Sequence, residues 1–186
     1  RLESVNNVPV MDSGVWLELP ADEQAMRLAL ASLGESTFDT CVIAEAESIL
    51  PSLKYQLAGD EDIGRLNTLA GKIQAFPDRR TLVKYKAVLE LEVCNDLDMQ
   101  LDIAENLDCY DYDPIILSPE AYAEYVLKEA DFDVNDPAFS RFDFKGYGER
   151  YLQGNGFVAT PYGSIARNEK AFVPEYTRPT PGMTMQ

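Results

Sequence analysis

The chain has 186 residues, 46% of them hydrophobic, with ten Tyr, eight Phe and a formal net charge of −16. The excess negative charge lies between Glu90 and Glu149, where the net charge is −14, against −4 before this region and +2 after it. The apolar content excludes disorder of the whole chain, while the charge excludes direct nucleic-acid binding by the acidic region and disfavours an anionic membrane surface.

The start of the chain, RLESVNNVPVMDSG, has neither an initiator Met nor the apolar core of a signal peptide. No run of 18 apolar residues occurs in the sequence, so we expect no transmembrane helix. The three cysteines are odd in number and irregularly spaced, which is typical of free thiols in a reducing compartment. We therefore expect a fragment of a cytoplasmic protein.

Residues 1–58 predict a small α+β domain. Residues 14–20, GVWLELP, have the Trp and branched side chains of a short strand that stops at a proline. Residues 21–34 follow with apolar side chains at helical spacing and end at a glycine. Residues 38–48, FDTCVIAEAES, again have the composition of a strand.

Residues 59–114 predict a helical middle domain. Residues 60–76 carry acids at the start and apolar side chains at helical spacing, and Pro77 ends the pattern. Residues 78–93 predict a second helix, and residues 97–107 predict a third, shorter one.

Residues 115–168 predict a second α+β domain. Ser118 as N-cap with Pro119 at the first helical position is the clearest helix start in the chain. Residues 151–167 predict two short strands joined by a Gly/Pro turn, and the Pro/Thr-rich residues 169–186 predict a tail. The chain as a whole is therefore expected to have an α+β fold with a helical middle.

Carboxylates are crowded in the middle of the chain, where residues 94–114 contain seven of them and no Lys or Arg. Such self-repulsion destabilises a compact fold, so we expect a compensating role. Acids at i, i+2 on a strand lie roughly 6.6 Å apart, and acids at i, i+3 or i+4 on a helix have Cβ atoms roughly 5–6 Å apart. DNA carries one charge per ~3.4 Å along each strand axis, so such a lattice can present a comparable charge density to a phosphate-binding groove. The candidate partner-binding residues are Asp96, Asp98, Asp102, Glu105, Asp108, Asp111, Asp113, Glu120, Glu124, Glu129, Asp131, Asp133 and Asp136.

A calcium loop is one alternative for these acids. Asp131, Asp133 and Asn135 occupy the first, third and fifth positions of an EF-hand pattern. The pattern then fails, because its sixth position has Asp136 instead of Gly and its twelfth has Phe142 instead of Glu. We therefore predict no metal site, and a calcium-binding carboxylate cluster is the weaker alternative.

Enzymatic chemistry has little support in the sequence. The absence of histidine removes the commonest general base and most zinc sites. The phosphate-binding, dinucleotide-binding and nucleophile-elbow motifs are also missing. A carboxylate pair can perform glycoside hydrolysis, but nothing singles out two of the 32 acids. We therefore predict a protein that is not an enzyme and has no cofactor.

Three segments carry a resemblance to a known family. They are GVWLELP, then EAES with DIGRLNTLAGKI, and above all FDFKGYGERYLQGNGFV. The third segment matches the pattern D-[YF]-x-x-Y-G followed by G-x-F at Asp143, Phe144, Tyr147, Gly148, Gly156 and Phe157. From Gly14 to Arg167 the chain resembles the ArdA-type antirestriction proteins of conjugative plasmids and transposons. The family usually has Arg-Asp after the motif glycine, whereas this chain has Glu149-Arg150, with the charges reversed.

The resemblance implies an elongated, three-part α+β protein that forms a curved homodimer and mimics bent B-form DNA. Its expected partner is a type I restriction–modification enzyme, whose DNA groove it occupies in the cytoplasm to protect incoming mobile DNA. The antirestriction motif lies near the dimer interface in that family, which implies this role for Phe142, Asp143, Phe144, Tyr147 and Gly148.

Other interpretations of the same residues remain open. An ordinary solvated acidic face is one, although such faces usually mix in Lys and Arg. An acidic adaptor for a different basic DNA-binding protein needs only the same charge. Core packing alone also accounts for Phe142, Phe144 and Tyr147, because large aromatic side chains are normally buried.

Overall fold

The computed structural model of the protein describes residues 1–6, 14–50, 59–94 and 96–177. Within these ranges the predicted α+β fold is confirmed, and no helix is long and apolar enough to cross a membrane. The helices are α1 (Glu23–Leu33), α2 (Gly59–Gln74), α3 (Arg79–Leu91), α4 (Leu97–Glu105), α5 (Pro119–Glu129) and α6 (Phe144–Gly154). The strands are β1 (Leu2–Ser4), β2 (Cys41–Ile43), β3 (Tyr110–Asp113), β4 (Val158–Thr160) and β5 (Gly163–Arg167).

The chain divides into two compact units, and each is built from separate stretches of sequence. Unit 1 comprises Arg1–Pro77, Asn95–Ala104 and Pro174–Gln186, and unit 2 comprises Asp78–Cys94 and Glu105–Val173. The helices of the predicted middle domain are thus shared out, with α2 and α4 in unit 1 and α3 in unit 2. Part of the predicted tail, residues 169–177, is hydrogen-bonded within these units, whereas residues 178–186 lie outside the described ranges.

Unit 1 is built around a small antiparallel pair of strands and helix α1. β1 pairs with β2, and Leu2 also bridges to Val15. The predicted strand at residues 14–20 is therefore reduced to this single bridge, in which Val15 pairs with Leu2 of β1. The predicted helix over residues 21–34 is confirmed, with Asp22 as its N-cap and Gly34 ending it at φ 73°. The core consists of Leu2, Leu33, Phe38, Cys41 and Ile63.

Asn67 on α2 fixes the segment that leads into α1. Its side chain accepts a hydrogen bond from the Ala21 N–H at 2.7 Å and donates one to the Ala21 carbonyl at 3.0 Å. A single amide side chain thus satisfies both backbone groups of a residue outside regular structure, which is how a buried loop avoids unpaired polar groups. This gives the Asn of DIGRLN a structural role within unit 1.

Unit 2 combines a three-stranded antiparallel sheet with three helices. The strand order is β3-β5-β4, helix α3 packs on β5 and β4, and α5 packs against α6. β3 lies inside the region predicted to be helical, and α6 covers the start of the region predicted to be strand. Both differences follow from side-chain spacing, since Tyr110 and Tyr112 alternate as in a strand, whereas Phe144, Tyr147 and Tyr151 have helical spacing.

Gly148 allows α5 and α6 to approach closely. A Cβ atom at this position would lie 1.8 Å from the carbonyl oxygen of Pro119, which is a backbone atom and cannot move aside independently. Gly148 is accordingly buried, while Gly154 on the same helix has open space around it. The motif glycine is therefore explained by helix packing.

A half-buried carboxylate ties the end of α3 to the sheet of unit 2. Glu92 forms a bidentate ion pair with Arg167, at 2.7 and 2.5 Å, and also accepts a hydrogen bond from the Tyr110 hydroxyl at 2.9 Å. Hydrogen bonding from Arg167 holds the pKa of Glu92 below its usual value, and burial together with this carboxylate raises the pKa of Tyr110. Bidentate Arg–carboxylate pairs combine geometric specificity with charge, so this contact stabilises the unit.

Candidate partner-binding surface

Asp102 does not fit the predicted partner-facing role. It lies on α4 with no exposed surface, and its carboxylate accepts backbone hydrogen bonds from Glu175, Tyr176 and Thr177 at 2.6 to 2.9 Å. The Thr177 hydroxyl donates a further bond at 2.6 Å. Burial alone raises the pKa of Asp102, but these hydrogen bonds outweigh it and hold the pKa below its ordinary value. Asp102 is therefore a structural anchor for the C-terminal segment of unit 1.

The two other predicted acids of unit 1 also take part in its structure. Asp98 is half-buried and forms an ion pair with Arg65 on α2 at 2.8 Å. Asp96 is exposed and accepts a hydrogen bond from the Met99 N–H at 3.0 Å, as an N-terminal capping residue does. Of the predicted acids in unit 1, Asp96 thus has the best access to a partner.

Most of the predicted acids around β3 are more exposed to solvent than Asp98 and Asp102. Glu105 and Asp108 are exposed, and Asp108 pairs with Lys170 at 3.1 Å, which lowers the pKa of its carboxyl group. Asp111 is exposed and accepts a hydrogen bond from the Asn168 amide at 3.2 Å. Asp113 is half-buried and accepts one from the backbone N–H of the residue two places on. The last two acids project from β3 with the i, i+2 spacing that the sequence predicted for an extended chain.

Helix α5 carries three more predicted acids. Glu120 is half-buried in the first turn, where its negative charge is favourable to the helix dipole. Glu124 is exposed and pairs with Lys128 at 3.2 Å, so part of its charge is neutralised within the helix. Glu129 is exposed at the C-terminal end, where a negative charge is unfavourable to the same dipole.

The remaining three predicted acids lie in the turn that follows α5. Asp131, Asp133 and Asp136 are all exposed, and Asp131 has a left-handed backbone with φ 62°. The carboxylates of Asp133 and Asp136 accept hydrogen bonds from backbone N–H groups two residues further on, at 3.0 and 2.7 Å. Their charges nevertheless face solvent, because such local bonds use only part of a carboxylate's capacity as an acceptor.

Seven predicted acids of unit 2 form no ion pair with any basic side chain that the structure describes. The ion pairs of this unit use other acids, namely Glu92, Asp108, Glu124 and Glu149. We call these seven residues the open acidic set: Asp111, Asp113, Glu120, Glu129, Asp131, Asp133 and Asp136. Exposed surfaces usually mix charges of both signs, so this excess of carboxylates is unusual.

The antirestriction-like motif lies within a continuous row of aromatic rings. Neighbouring ring centroids are 4.9 to 6.3 Å apart, the range in which aromatic pairs attract one another. We call this row the aromatic ladder. Its successive members are Phe132, Phe139, Phe142, Tyr147, Tyr151 and Tyr122, and Phe144 is a side branch that contacts Phe139 and Phe142. Phe142, Phe144 and Tyr147 are half-buried within it, so packing accounts for much of their role.

The other motif residue, Asp143, is the N-cap of α6. Its carboxylate accepts a hydrogen bond from the Gly146 N–H at 2.9 Å. Tyr147 and Tyr151 on this helix border an open depression of about 480 Å³ together with Arg150 and Asn155. Tyr122, Phe132, Phe139 and Tyr151 also belong to the ladder and were not predicted from the sequence. The helical spacing of Phe144, Tyr147 and Tyr151 was the signal that could have predicted part of it.

Within the described ranges, no group of three or more Asp, Glu, Cys or His side chains is placed to hold a metal ion. The carboxylates of the predicted calcium alternative therefore do not converge on one point. Comparisons with protein-family models and with curated proteins find no match for this chain. The resemblance to ArdA-type proteins accordingly remains a prediction from the sequence motifs.

Proposed function

We propose that this protein is an acidic DNA mimic that binds the DNA-binding groove of type I restriction–modification enzymes and inhibits them. The observation that carries this proposal is the open acidic set of unit 2, seven predicted carboxylates without a described ion-pair partner. A basic groove that normally receives phosphates would neutralise these charges. Such a protein would act in the cytoplasm on behalf of mobile DNA.

The energetics of this binding resemble those of DNA itself. Carboxylates that replace phosphates release the same counterions from the enzyme, so affinity is expected to fall steeply as salt rises. Opposite charges also steer the two proteins together, which accelerates association at low salt. Each exposed pair contributes only about 0–1 kcal/mol, so no single carboxylate is expected to dominate.

The proposal includes a homodimer formed through the face of α6 in unit 2. Tyr151 is 44% exposed and borders the open depression beside Tyr147 and Arg150. Exposed aromatic and arginine side chains are enriched at protein interfaces. Light scattering of the purified protein is expected to give the mass of a dimer, and Tyr151→Glu is expected to give a monomer. Trp16→Ala, which changes a 54% exposed aromatic in unit 1, should leave the dimer intact.

The decisive experiment is inhibition of a purified type I restriction enzyme at low and high salt, with DNA as competitor. We expect inhibition that DNA relieves and that fades as salt rises. Lack of inhibition at low salt would contradict the proposal and would favour the acidic adaptor. The purified protein could then be used in affinity capture to identify its basic partner.

A matched pair of variants distinguishes the effect of carboxylate position on inhibition from the effect of net charge. Asp131, Asp133 and Asp136 can be changed together to Asn, which keeps an acceptor oxygen for the turn while removing three charges. The control changes three exposed acids of unit 1, Glu18, Glu23 and Glu47, to Gln. We expect the first variant to lose about tenfold or more in inhibition and the control to lose much less. Equal losses would show that only net charge matters.

A further inference from the structure

Phe132 is an exposed aromatic residue flanked in sequence by members of the open acidic set. Its side chain is 54% exposed, although a phenylalanine is normally buried in a folded domain. Glu129, Asp131, Asp133 and Asp136 surround it in sequence, and all four are exposed. An exposed ring between carboxylates offers a partner both an apolar face and negative charge.

The ring is held in place by the fold. The Phe132 N–H donates to the carbonyl of Leu127 at 3.0 Å, which ties the residue to the last turn of α5. The ring also contacts Phe139 edge to face, with centroids 6.1 Å apart. The Asp136 N–H donates to the Asp133 carbonyl at 3.0 Å, which closes the turn. Phe132 is therefore presented in a fixed position, and binding there needs little further ordering.

The charges around the ring determine what can cover it. An uncharged apolar partner would have to strip water from the neighbouring carboxylates without compensation, which is costly. A guanidinium group avoids this cost, because its flat face stacks on an aromatic ring while its N–H groups pair with carboxylates. A lysine ammonium group is more strongly hydrated and cannot stack in the same way.

We propose that Phe132, with the carboxylates of Asp131 and Asp133, forms a receptor for an arginine side chain of the partner protein. The inference rests on the proposed function, which makes a basic protein the partner. It adds that this partner contributes an arginine side chain. Phe132 then supplies a component of affinity that depends less on salt than the carboxylates do.

NMR titration with two short peptides tests this receptor without any restriction enzyme. Tetra-arginine amide is expected to shift the backbone amides of residues 131–136 and to bind there about threefold to tenfold more tightly than tetra-lysine amide. Phe132→Leu keeps the apolar volume but removes the ring face, so it should abolish this preference. Phe132→Trp should retain it, because indole is the best cation–π acceptor.

Tyr125→Leu is the matched control. Tyr125 is 53% exposed on α5, and the acid next to it in sequence, Glu124, is already paired with Lys128. This variant should keep the arginine preference. Equal affinities of the two peptides for the unmodified protein, or an arginine preference that survives Phe132→Leu, would overturn the inference.

The outcomes also separate this inference from the proposed function. A protein that inhibits the restriction enzyme but shows no Phe132-dependent preference is a mimic without the arginine receptor. A protein with the preference but without inhibition has the receptor and a different basic partner. Amide spectra that match outside residues 128–142 would establish that each variant is folded.

Discussion

Residues 96–102 and residues 129–136 have similar acidic compositions, with three and four carboxylates respectively, but the fold uses them differently. In the first stretch Asp102 is fully buried and Asp98 is paired with Arg65. In the second stretch all four acids are exposed, and none forms an ion pair with a described basic residue. The number of acids in a segment is thus a poor guide to its role.

The surrounding apolar residues account for the difference. Helix α4 has Leu97, Leu101 and Ile103 buried, so it is enclosed on most sides and its acids must find partners inside unit 1. Residues 129–136 supply only Ala130, Phe132 and Val134 as apolar side chains, none of which is buried, and their backbone forms a turn. An acid on an enclosed helix becomes a structural group, whereas an acid on an exposed turn remains available to a partner.

The largest effect is expected where the packing that supports the exposed stretch is disturbed. Gly148→Ala places a methyl group 1.8 Å from the Pro119 carbonyl oxygen, so α5 and α6 must separate. We expect a loss of about 3 kcal/mol in the free energy of unfolding, measured by urea denaturation. Gly154→Ala on the same helix has open space and should be neutral or slightly stabilising. Similar behaviour of the two variants would contradict the packing role of Gly148.

The next largest effect is expected from a direct comparison of two variants, one with an acid removed from each stretch. Asp102→Ala leaves three backbone N–H groups and the Thr177 hydroxyl without their acceptor, and we expect a loss of about 2–3 kcal/mol. Glu129→Ala removes an exposed acid and should change the free energy of unfolding by less than about 0.5 kcal/mol. Thermal and urea unfolding measure both. A small effect of Asp102→Ala would mean that residues 175–177 do not depend on this carboxylate.

Much of the fold could be predicted from local sequence signals. Ser118 is the predicted N-cap of α5 and accepts the hydrogen bond from a backbone N–H; Asp22 and Asp78, which were not predicted as caps, do the same for the predicted helices α1 and α3. The hairpin of β4 and β5 also agrees with its Gly/Pro turn. These elements succeed because caps and turns depend on a few adjacent residues.

The remaining features depend on residues far apart in the chain. β1 was missed because its partner β2 lies about 40 residues away, and three residues carry no visible alternation. The burial of Asp102 could not be predicted, because its hydrogen-bond donors come from residues 175–177, in a segment whose composition predicted a tail. The candidate surface was predicted as a group of acids, but the sequence could not distinguish the buried acids from the exposed ones.

A pH titration sharpens the comparison between buried and exposed acids. The pKa of Asp102 is lowered in the folded protein, so this group binds a proton more readily in the unfolded chain. Its stabilising contribution is therefore complete above the ordinary Asp pKa of about 3.9 and is lost as pH falls through the lower folded value. Asp102→Asn cannot titrate, so its deficit in unfolding free energy should shrink as pH falls from 6 to 2. A deficit that stays constant across this range would exclude the pKa shift.

The smallest effect concerns two left-handed residues, Val93 shortly before the first stretch and Asp131 within the second. Val93 has φ 48° and is 73% exposed, whereas Asp131 has φ 62°. A β-branched residue is strained in this conformation, while Asp tolerates it. Val93→Gly should therefore stabilise the protein by about 0.5–1 kcal/mol, since relief of the strain exceeds the entropy that glycine adds to the unfolded chain. Asp131→Gly has no such strain to relieve and should be neutral or slightly destabilising in the same urea titration. An equal gain at both positions would mean that Asp131 is also strained, and the turn that presents Phe132 would then be maintained at a cost in stability.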